Sequence, residues 1–165
     1  MAPVMKYGVD VGRKLIRLTT AGKDLNRMLK EVRLTEFSPN RCVCEMTVGE
    51  EQSNPHGTLH GAFATLLMDG VTTMAIIASG RPVPGLSVEM NMSYVQGAKT
   101  GEEIRIIGDC VKAGKSLAYA NCEIRRISDD KLVATGRHIK HVEVANAPFA
   151  APWLFTDSTD KESSV

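Results

Sequence analysis

The longest apolar stretch of the chain spans residues 62–78 and contains a single charged side chain, that of Asp69. Its hydrophobic residues recur at helical spacing, and the side opposite the main apolar stripe is apolar as well. The pattern therefore predicts a helix over residues 59–79 that is buried on all sides. Such a helix needs a sheet wrapped around it. Because one curved sheet leaves part of the helix uncovered, we expect a second subunit to cover the rest.

Strand-like segments flank this helix, and an N-terminal helix is predicted over about residues 10–29. Two strands precede the long helix and four follow it, over about residues 32–35, 42–48, 86–94, 103–112, 118–124 and 132–142. Ser38-Pro39-Asn40 and the later tight turns favour antiparallel pairing. Residues 86–94 alternate between apolar and polar without a fault, which places Ser87 on the polar face of its strand. This order of elements predicts an α+β fold.

The 165 residues point to one domain, which we place at residues 1–145, followed by a partly disordered tail over residues 146–165. The 20 basic and 19 acidic side chains leave little basic excess, which argues against a nucleic-acid binder. Asp69 and three threonines interrupt the apolar stretch, so no membrane span is expected. Four cysteines without a CxxC pair indicate buried thiols in a reducing compartment, and both cytoplasm and mitochondrion stay open.

Two explanations of Asp69 are compatible with the pattern. A buried carboxylate costs several kcal/mol unless it is paired or hydrogen-bonded. Asp69 therefore either has a structural explanation, with a partner such as Arg137 or a place at a surface edge of the helix, or takes part in chemistry. It lies roughly 100° from the centre of the apolar stripe, on a side with small and mildly polar residues that suits the floor of a cleft. The pattern alone leaves these explanations open.

The start of the long helix, Gly57-Thr58-Leu59-His60-Gly61, is a second candidate site. N–H groups in the first turn of a helix lack an intrahelical partner, and the helix dipole favours negative charge there, so they can bind an oxyanion. Gly61 allows a ligand to approach the backbone closely. If the helix packs against the same helix of a second copy, Asp69 of one chain can reach Gly61 of the other.

Other motifs are weaker. His56 and His60 are four residues apart, but they lie in a loop entering a helix and no acidic residue separates them, so we expect no metal. Gly114-Lys115-Ser116 fails as a P-loop because an alternating strand follows it. It is either a hairpin whose Lys112 and Lys115 bind phosphate or an ordinary solvated turn. The sequence has no GxSxG motif and no plausible Ser, His and acid set, which argues against a serine hydrolase.

Residues 54–61, Asn-Pro-His-Gly-Thr-Leu-His-Gly, and the Leu67-Met68-Asp69 that follows resemble the active-site signature of PaaI-like hotdog-fold acyl-CoA thioesterases. Residues 84–91 and 136–141 extend the resemblance, which covers most of the chain. It implies a hotdog fold, in which a six-stranded antiparallel sheet wraps the long helix. It also implies a homotetramer, built as a dimer of dimers, with each active site between two protomers.

The resemblance further implies roles for individual residues. The Gly61 amide polarises the thioester carbonyl, the partner's Asp69 is general base or nucleophile, and Asn54 and Ser87 position substrate and water. No metal or separate cofactor is implied, since CoA is part of the substrate. Residues 95–97 depart from the family pattern, so contacts are expected only from their backbone. The expected CoA contacts are Ser87, Glu89, Tyr94, Val95, Gln96, Gly97, Ala98, Lys99, Lys112, Ala113, Gly114, Lys115, Ser116, Leu117 and His141.

These observations predict hydrolysis of fatty acyl-CoA, with medium to long acyl chains favoured, to a free fatty acid and CoA, a reaction of lipid metabolism. Two alternatives stay open. A hydratase or dehydratase on the same fold would rely on a catalytic histidine, for which His56 is the nearest candidate. A non-catalytic acyl-CoA-binding protein would bind the substrate without releasing a thiol, and the presence of Asp69 argues against it.

Overall fold

The computed structural model describes residues 4–81, 83–143 and 155–156. Short 3₁₀ helices lie at Leu25–Leu29 and Glu50–Gln52. In chain order, the strands and α-helices of the described residues are β1 (Val4–Met5), α1 (Val9–Thr20), β2 (Arg33–Ser38), β3 (Arg41–Thr47), α2 (Gly61–Ile77), β4 (Leu86–Tyr94), β5 (Glu103–Ala113), β6 (Leu117–Arg126), β7 (Leu132–His141) and β8 (Phe155–Thr156).

Strands β2 to β7 form one six-stranded antiparallel sheet in the order β2-β3-β5-β6-β7-β4, and the short strands β1 and β8 pair with each other. Helix α2 packs against the inner face of the large sheet, over β3, β5, β6 and β7. A long helix on a six-stranded antiparallel sheet is the hotdog architecture that the sequence predicts.

Helix α2 is buried because apolar side chains cover most of its circumference. Leu67, Met68 and Ala75 are completely inaccessible to solvent. Gly108 of β5 allows a close approach between sheet and helix, since a Cβ atom there would lie 2.9 Å from the Val71 carbonyl oxygen. Because α2 is buried, a buried polar side chain on it needs a hydrogen-bonding or charged partner.

The N-terminal helix is shorter than the predicted span of residues 10–29. Helix α1 ends at Thr20, whose hydroxyl donates to the Ile16 carbonyl oxygen in the last turn. A separate 3₁₀ helix then begins at Leu25, because the Asp24 carboxylate accepts the Asn26 N–H and caps it. The Asp24 cap therefore starts a second, separate helix within the span where the apolar spacing predicts one continuous helix.

Helix α2 also begins two residues later and ends two residues earlier than predicted. His60 has an extended backbone, and its Nδ1 accepts the Ala62 N–H at 3.0 Å, which makes it the N-cap. Within the described residues, no helix is both long and apolar enough to cross a membrane.

Strand β4 contains a bulge that the sequence pattern does not reveal. Ser87 pairs with Lys140 but Glu89 pairs with Ile139, so Val88 is the extra residue. Directly paired residues of antiparallel strands point to the same face of the sheet, and the Lys140 side chain reaches α2. The prediction that Ser87 lies on the polar face of its strand is therefore wrong, because the bulge turns Ser87 toward the helix.

The predicted tail over residues 146–165 lies outside the described residues, apart from Phe155–Thr156, which pairs with Val4–Met5. Its partial disorder stays a prediction.

Candidate active site

The loop before α2 is held by the side chain of Asn54. Its Oδ1 accepts the His56 N–H at 2.9 Å and the Thr58 N–H at 3.3 Å, while its Nδ2 donates to the Thr58 hydroxyl at 2.9 Å. Asn54 also lines a cavity of about 330 Å³ at the start of the helix. One side chain therefore both fixes the loop and faces the space beside the first turn of α2.

Gly61 opens onto the same cavity, which Tyr94 and Gln96 also line. Among the described residues, no hydrogen bond uses the Gly61 N–H. The Gly61 carbonyl oxygen, in contrast, accepts from the hydroxyls of Thr65 at 3.1 Å and Tyr94 at 3.2 Å. The N–H is therefore free to donate into the cavity, as the sequence of the helix start predicts.

Asp69 lies on the side of α2 that faces β7, and its side chain is 36% exposed. Its Oδ1 lies 3.5 Å from Lys140 Nζ, 3.5 Å from Thr73 Oγ1 and 3.8 Å from His138 Nε2. Lys140 is buried and donates to the Thr73 hydroxyl at 2.7 Å. Burial lowers the pKa of Lys140, and the nearby Asp69 carboxylate acts in the opposite direction. Asp69 is thus partnered by a buried cation while part of it faces solvent.

His138 is fully buried between Thr72 and Ser87. The Thr72 hydroxyl donates to the Met68 carbonyl oxygen at 2.6 Å, so its oxygen accepts from His138 Nδ1 at 2.7 Å. The Nε2 lone pair then accepts from the Ser87 hydroxyl at 2.8 Å. Burial first, and then the charge of Lys140, lower the pKa of His138 to about 4, so the imidazole is neutral near neutral pH. We infer that the Ser87 oxygen keeps its lone pairs free to accept from water or substrate.

The structure brings together a serine, a histidine and an acid that are far apart in the sequence. The bulge in β4 brings Ser87 to His138, and Asp69 Oδ1 lies 3.8 Å from the same ring nitrogen. In a serine-hydrolase triad the acid instead orients the opposite ring nitrogen, which here contacts Thr72. The set therefore lacks the triad geometry that activates a serine nucleophile.

Gly61 and Asp69 are eight residues apart on one helix. At 1.5 Å per residue, their backbones are separated by about 12 Å along the helix axis. One chain therefore cannot bring both groups to the same carbonyl group. We call Asn54, Gly61, Tyr94 and Gln96 the Gly61 half-site, and Asp69, Ser87, His138 and Lys140 the Asp69 half-site.

The predicted CoA contacts fall into two groups in the structure. Residues 94–97 line the cavity of the Gly61 half-site, and Lys99 forms a bridge to Thr58 just before α2. Residues 112–117 form the hairpin between β5 and β6, which has both of its lysines exposed. This hairpin lies next to His141, since His141 pairs with both Leu117 and Leu86.

Ala98 and Glu89 stand apart from these groups. Ala98 is fully buried, and its carbonyl oxygen accepts the Leu59 N–H at 2.7 Å, so it supports the loop and offers no side chain to a ligand. Glu89 lies 3.9 Å from Arg137, and both side chains are exposed. Residues adjacent on a strand point to opposite faces, so Arg137 points away from the face on which its neighbour His138 reaches α2. The suggestion that Arg137 is the partner of Asp69 is therefore wrong.

Sequence reasoning missed His138 and Lys140 as parts of the site. They occupy alternate positions of β7, and both reach α2. A histidine and a lysine on the core-facing side of a strand are polar groups that need buried partners. The alternation of β7 could have predicted that both side chains face the core. It could not have predicted which side chains of α2 they contact.

The two histidines near the start of α2 have separate places. His56 is exposed, and His60 is the N-cap of the helix. In the part of the chain that the structure describes, no group of three or more His, Cys, Asp and Glu side chains could hold a metal ion. All four cysteines are free and buried.

Known proteins resemble this chain in fold and in sequence. The sequence profile of the thioesterase superfamily matches residues 56–133. Human acyl-coenzyme A thioesterase 13 is 39% identical over 130 residues, which cover 79% of this chain and 93% of that protein. The crystal structure of zebra fish thioesterase superfamily member 2 is 37% identical, with a TM-score of 0.80 over 83% of this chain and 99% of its own. The E. coli PaaI protein, 17% identical with a TM-score of 0.66 over 82% of this chain and 96% of its own, shares the fold.

A long helix wrapped by a six-stranded antiparallel sheet defines a hotdog-fold protein. The chain belongs to the thioesterase superfamily, and it is an enzyme.

Proposed function

We propose that this enzyme hydrolyses fatty acyl-CoA to a free fatty acid and CoA, with medium to long acyl chains preferred. The 39% identity to a human protein named as an acyl-CoA thioesterase supports this reaction class. The observation that carries the proposal is the complementarity of the two half-sites. One presents an unpaired N–H donor for a developing oxyanion, and the other presents a carboxylate beside a serine that can hold water.

The active site is proposed to lie between two protomers, because Gly61 and Asp69 of one chain are too far apart. Strand β4 is at the edge of the sheet and exposes Leu86 and Val88. An exposed apolar edge strand favours pairing with the same strand of a second copy. Each Gly61 would then face the partner's Asp69. By resemblance to the family, two such dimers form a homotetramer.

The proposed chemistry follows from the hydrogen-bonding state of each group. The Gly61 N–H, with Asn54 beside it, donates to the thioester carbonyl oxygen, and one such donor is typically worth on the order of 10²–10³ in rate. Asp69 either takes a proton from the water that attacks the carbonyl carbon or attacks that carbon itself. In both cases the C–S bond breaks and CoA leaves as a thiolate. In the second case an acyl–Asp69 anhydride remains, which water then hydrolyses to the free fatty acid. As a general base, Asp69 would contribute on the order of 10²–10⁴ in rate.

Ser87 is proposed to hold the attacking water. Because the Ser87 proton is directed to His138, its oxygen can accept one hydrogen of the water while Asp69 accepts the other. The thioester carbonyl is electrophilic and a thiolate is a fair leaving group, so we propose that the reaction needs no metal or separate cofactor.

CoA is proposed to bind along the sheet end that carries the hairpin and His141, and along residues 94–99. The exposed Lys112 and Lys115 are suited to the phosphates of CoA as point charges. Gln96 offers a further contact, since its Nε2 is buried without a hydrogen-bond partner among the described residues. An unsatisfied buried donor costs about 1–3 kcal/mol, which a substrate carbonyl would offset. The remaining proposed contacts are Ser87, Glu89, Val95, Gly97, Ala113, Gly114, Ser116 and Leu117.

A cavity of about 210 Å³ beside Asp69 supports the acyl-chain preference. Leu29, Met74 and Ile77 form apolar parts of its lining. These apolar side chains favour an aliphatic acyl chain, so enlarging the cavity at Leu29 should favour longer chains.

A thiol-release assay across short, medium, long and aryl acyl-CoAs tests the proposal. We expect release of free CoA with the highest kcat/KM for medium to long aliphatic chains. Binding of these compounds without thiol release would instead identify a non-catalytic binding protein. Hydration of an enoyl-CoA that is lost in His56→Ala and retained in Asp69→Asn would favour hydratase-type chemistry.

Mixed oligomers test the location of the site. Asp69→Ala and Asn54→Ala are each expected to be inactive alone. In a dimer of one of each, one site carries both defects and the other carries neither. An equal, fully exchanged mixture should therefore recover about a quarter of wild-type activity. A mixture that stays inactive would contradict a site shared between protomers.

A further inference from the structure

The hydrogen bonds of the Asp69 carboxylate are made by one oxygen. Lys140 Nζ, Thr73 Oγ1 and His138 Nε2 lie 3.5, 3.5 and 3.8 Å from Oδ1. No hydrogen bond within the described residues reaches Oδ2. Since the side chain is 36% exposed, Oδ2 is the oxygen available to a ligand or to water.

Lys140 is the buried charge of this cluster, with only 5% of the residue exposed. Its ammonium group donates to the Thr73 hydroxyl at 2.7 Å, and Asp69 is the carboxylate nearest to it among the described residues. Thr73 lies one helical turn after Asp69, so Lys140 and Thr73 approach Oδ1 together from the sheet side and the helix side. Burying an ammonium group costs free energy unless an opposite charge lies nearby. A buried lysine is therefore suited to holding one carboxylate in one orientation.

We propose that Lys140 is a positioning residue: together with Thr73 it holds Oδ1 of Asp69, so that Oδ2 is the oxygen that takes the proton from water or attacks the thioester. This inference rests on the proposed catalytic role of Asp69. It adds a residue that acts through Asp69, and it selects one of two otherwise equivalent oxygens.

The charge of Lys140 has a second effect on the same half-site. It acts with burial to lower the pKa of His138, and a neutral His138 is what lets Nε2 accept the Ser87 proton. Loss of the charge would therefore have two effects. It would release Oδ1 of Asp69, and it would weaken the hydrogen bond from Ser87 to His138 that leaves the Ser87 oxygen free to accept from water.

Three variants of Lys140 separate positioning from folding. Lys140→Met removes the charge with a chain of similar length, Lys140→Gln keeps a donor without charge, and Lys140→Arg keeps the charge. Asp69→Asn serves as the reference in each assay. The measurements are kcat and KM on one medium-chain acyl-CoA, the thermal midpoint Tm, and the NMR titration of the His138 ring.

We expect kcat to fall roughly tenfold to a hundredfold in Lys140→Met and Lys140→Gln, since a misplaced reacting group typically costs up to that factor. KM should change less than kcat, because Lys140 acts through Asp69. Tm should fall in both neutral variants, because removing one partner of a buried ion pair leaves the other charge uncompensated, so kcat is measured well below the Tm of each variant. Lys140→Arg should recover part of kcat. In Lys140→Met the His138 titration should move to higher pH, since a repelling charge is gone.

The outcomes distinguish this inference from the function on which it rests. If Asp69→Asn is inactive but both neutral Lys140 variants keep wild-type kcat, only the positioning role is overturned. A loss of kcat that disappears when each neutral variant is assayed well below its Tm also overturns it, since unfolding alone then explains the loss. If Asp69→Asn itself keeps wild-type kcat, the proposed catalytic role of Asp69 fails first.

Discussion

Replacing His138 with glutamine should remove much of the acid sensitivity of the folded state. His138 is fully buried, and burial and the charge of Lys140 lower its pKa to about 4 from an ordinary value of 6.5. Glutamine cannot titrate in this range, but it retains hydrogen-bonding groups that can reach Ser87. The wild-type chain and His138→Gln therefore differ mainly in one titrating group.

The sign follows from the number of protons bound in each state. Above pH 6.5, the ring is neutral in both the folded and the unfolded chain. As the pH falls from 6.5 to about 4, the unfolded chain binds a proton that the folded chain does not, so stability is lost. A difference of one in pKa corresponds to about 1.4 kcal/mol. The free energy of unfolding should therefore fall by about 3 kcal/mol over this window because of His138 alone.

Urea unfolding at a series of pH values measures this contribution as the difference between wild type and His138→Gln. The protein concentration must be held constant, because subunit association would also affect stability. The wild-type free energy of unfolding should decrease more steeply below pH 6.5, by up to about 1.4 kcal/mol per pH unit relative to the variant. Parallel pH profiles for the two proteins would refute a buried, neutral His138.

Three further substitutions have defined consequences. Gln96→Ala should raise KM for acyl-CoA severalfold with little change in kcat, because Gln96 is proposed to bind substrate and not to take part in chemistry. An unchanged KM would contradict that contact. Gly108→Ala should destabilise the fold by about 1–3 kcal/mol in urea unfolding, since its Cβ would lie 2.9 Å from the Val71 carbonyl oxygen. Leu29→Ala should shift the preferred acyl chain to greater length in the thiol-release assay, and an unchanged preference would place the acyl chain elsewhere.

The fold could be predicted largely from local patterns. The apolar stretch around Asp69 determines a buried helix, and the tight turns between alternating segments determine an antiparallel sheet. The bulge at Val88 could not be predicted, since the alternation of residues 86–94 is equally compatible with a regular strand. The end of α1 was also missed, because side-chain caps such as Asp24 act against the apolar spacing.

The candidate site was predictable where its residues are close together in the sequence. Asn54, Gly61 and Asp69 belong to one loop and helix, so spacing and family resemblance locate them together. His138 and Lys140 meet Asp69 only because β7 lies against α2, and no local pattern contains that long-range contact. A buried lysine beside the carboxylate is therefore a finding of the structure.

The measurement that bears most directly on the proposed function is kcat of Asp69→Asn for a medium-chain acyl-CoA, compared with its affinity for CoA. Asparagine has nearly the same shape but can neither accept the proton as a carboxylate does nor attack the thioester. We predict a fall in kcat on the order of 10²–10⁴ with CoA binding nearly unchanged. Wild-type kcat in Asp69→Asn, or a wild-type enzyme that releases no thiol from any acyl-CoA, would contradict the proposed function.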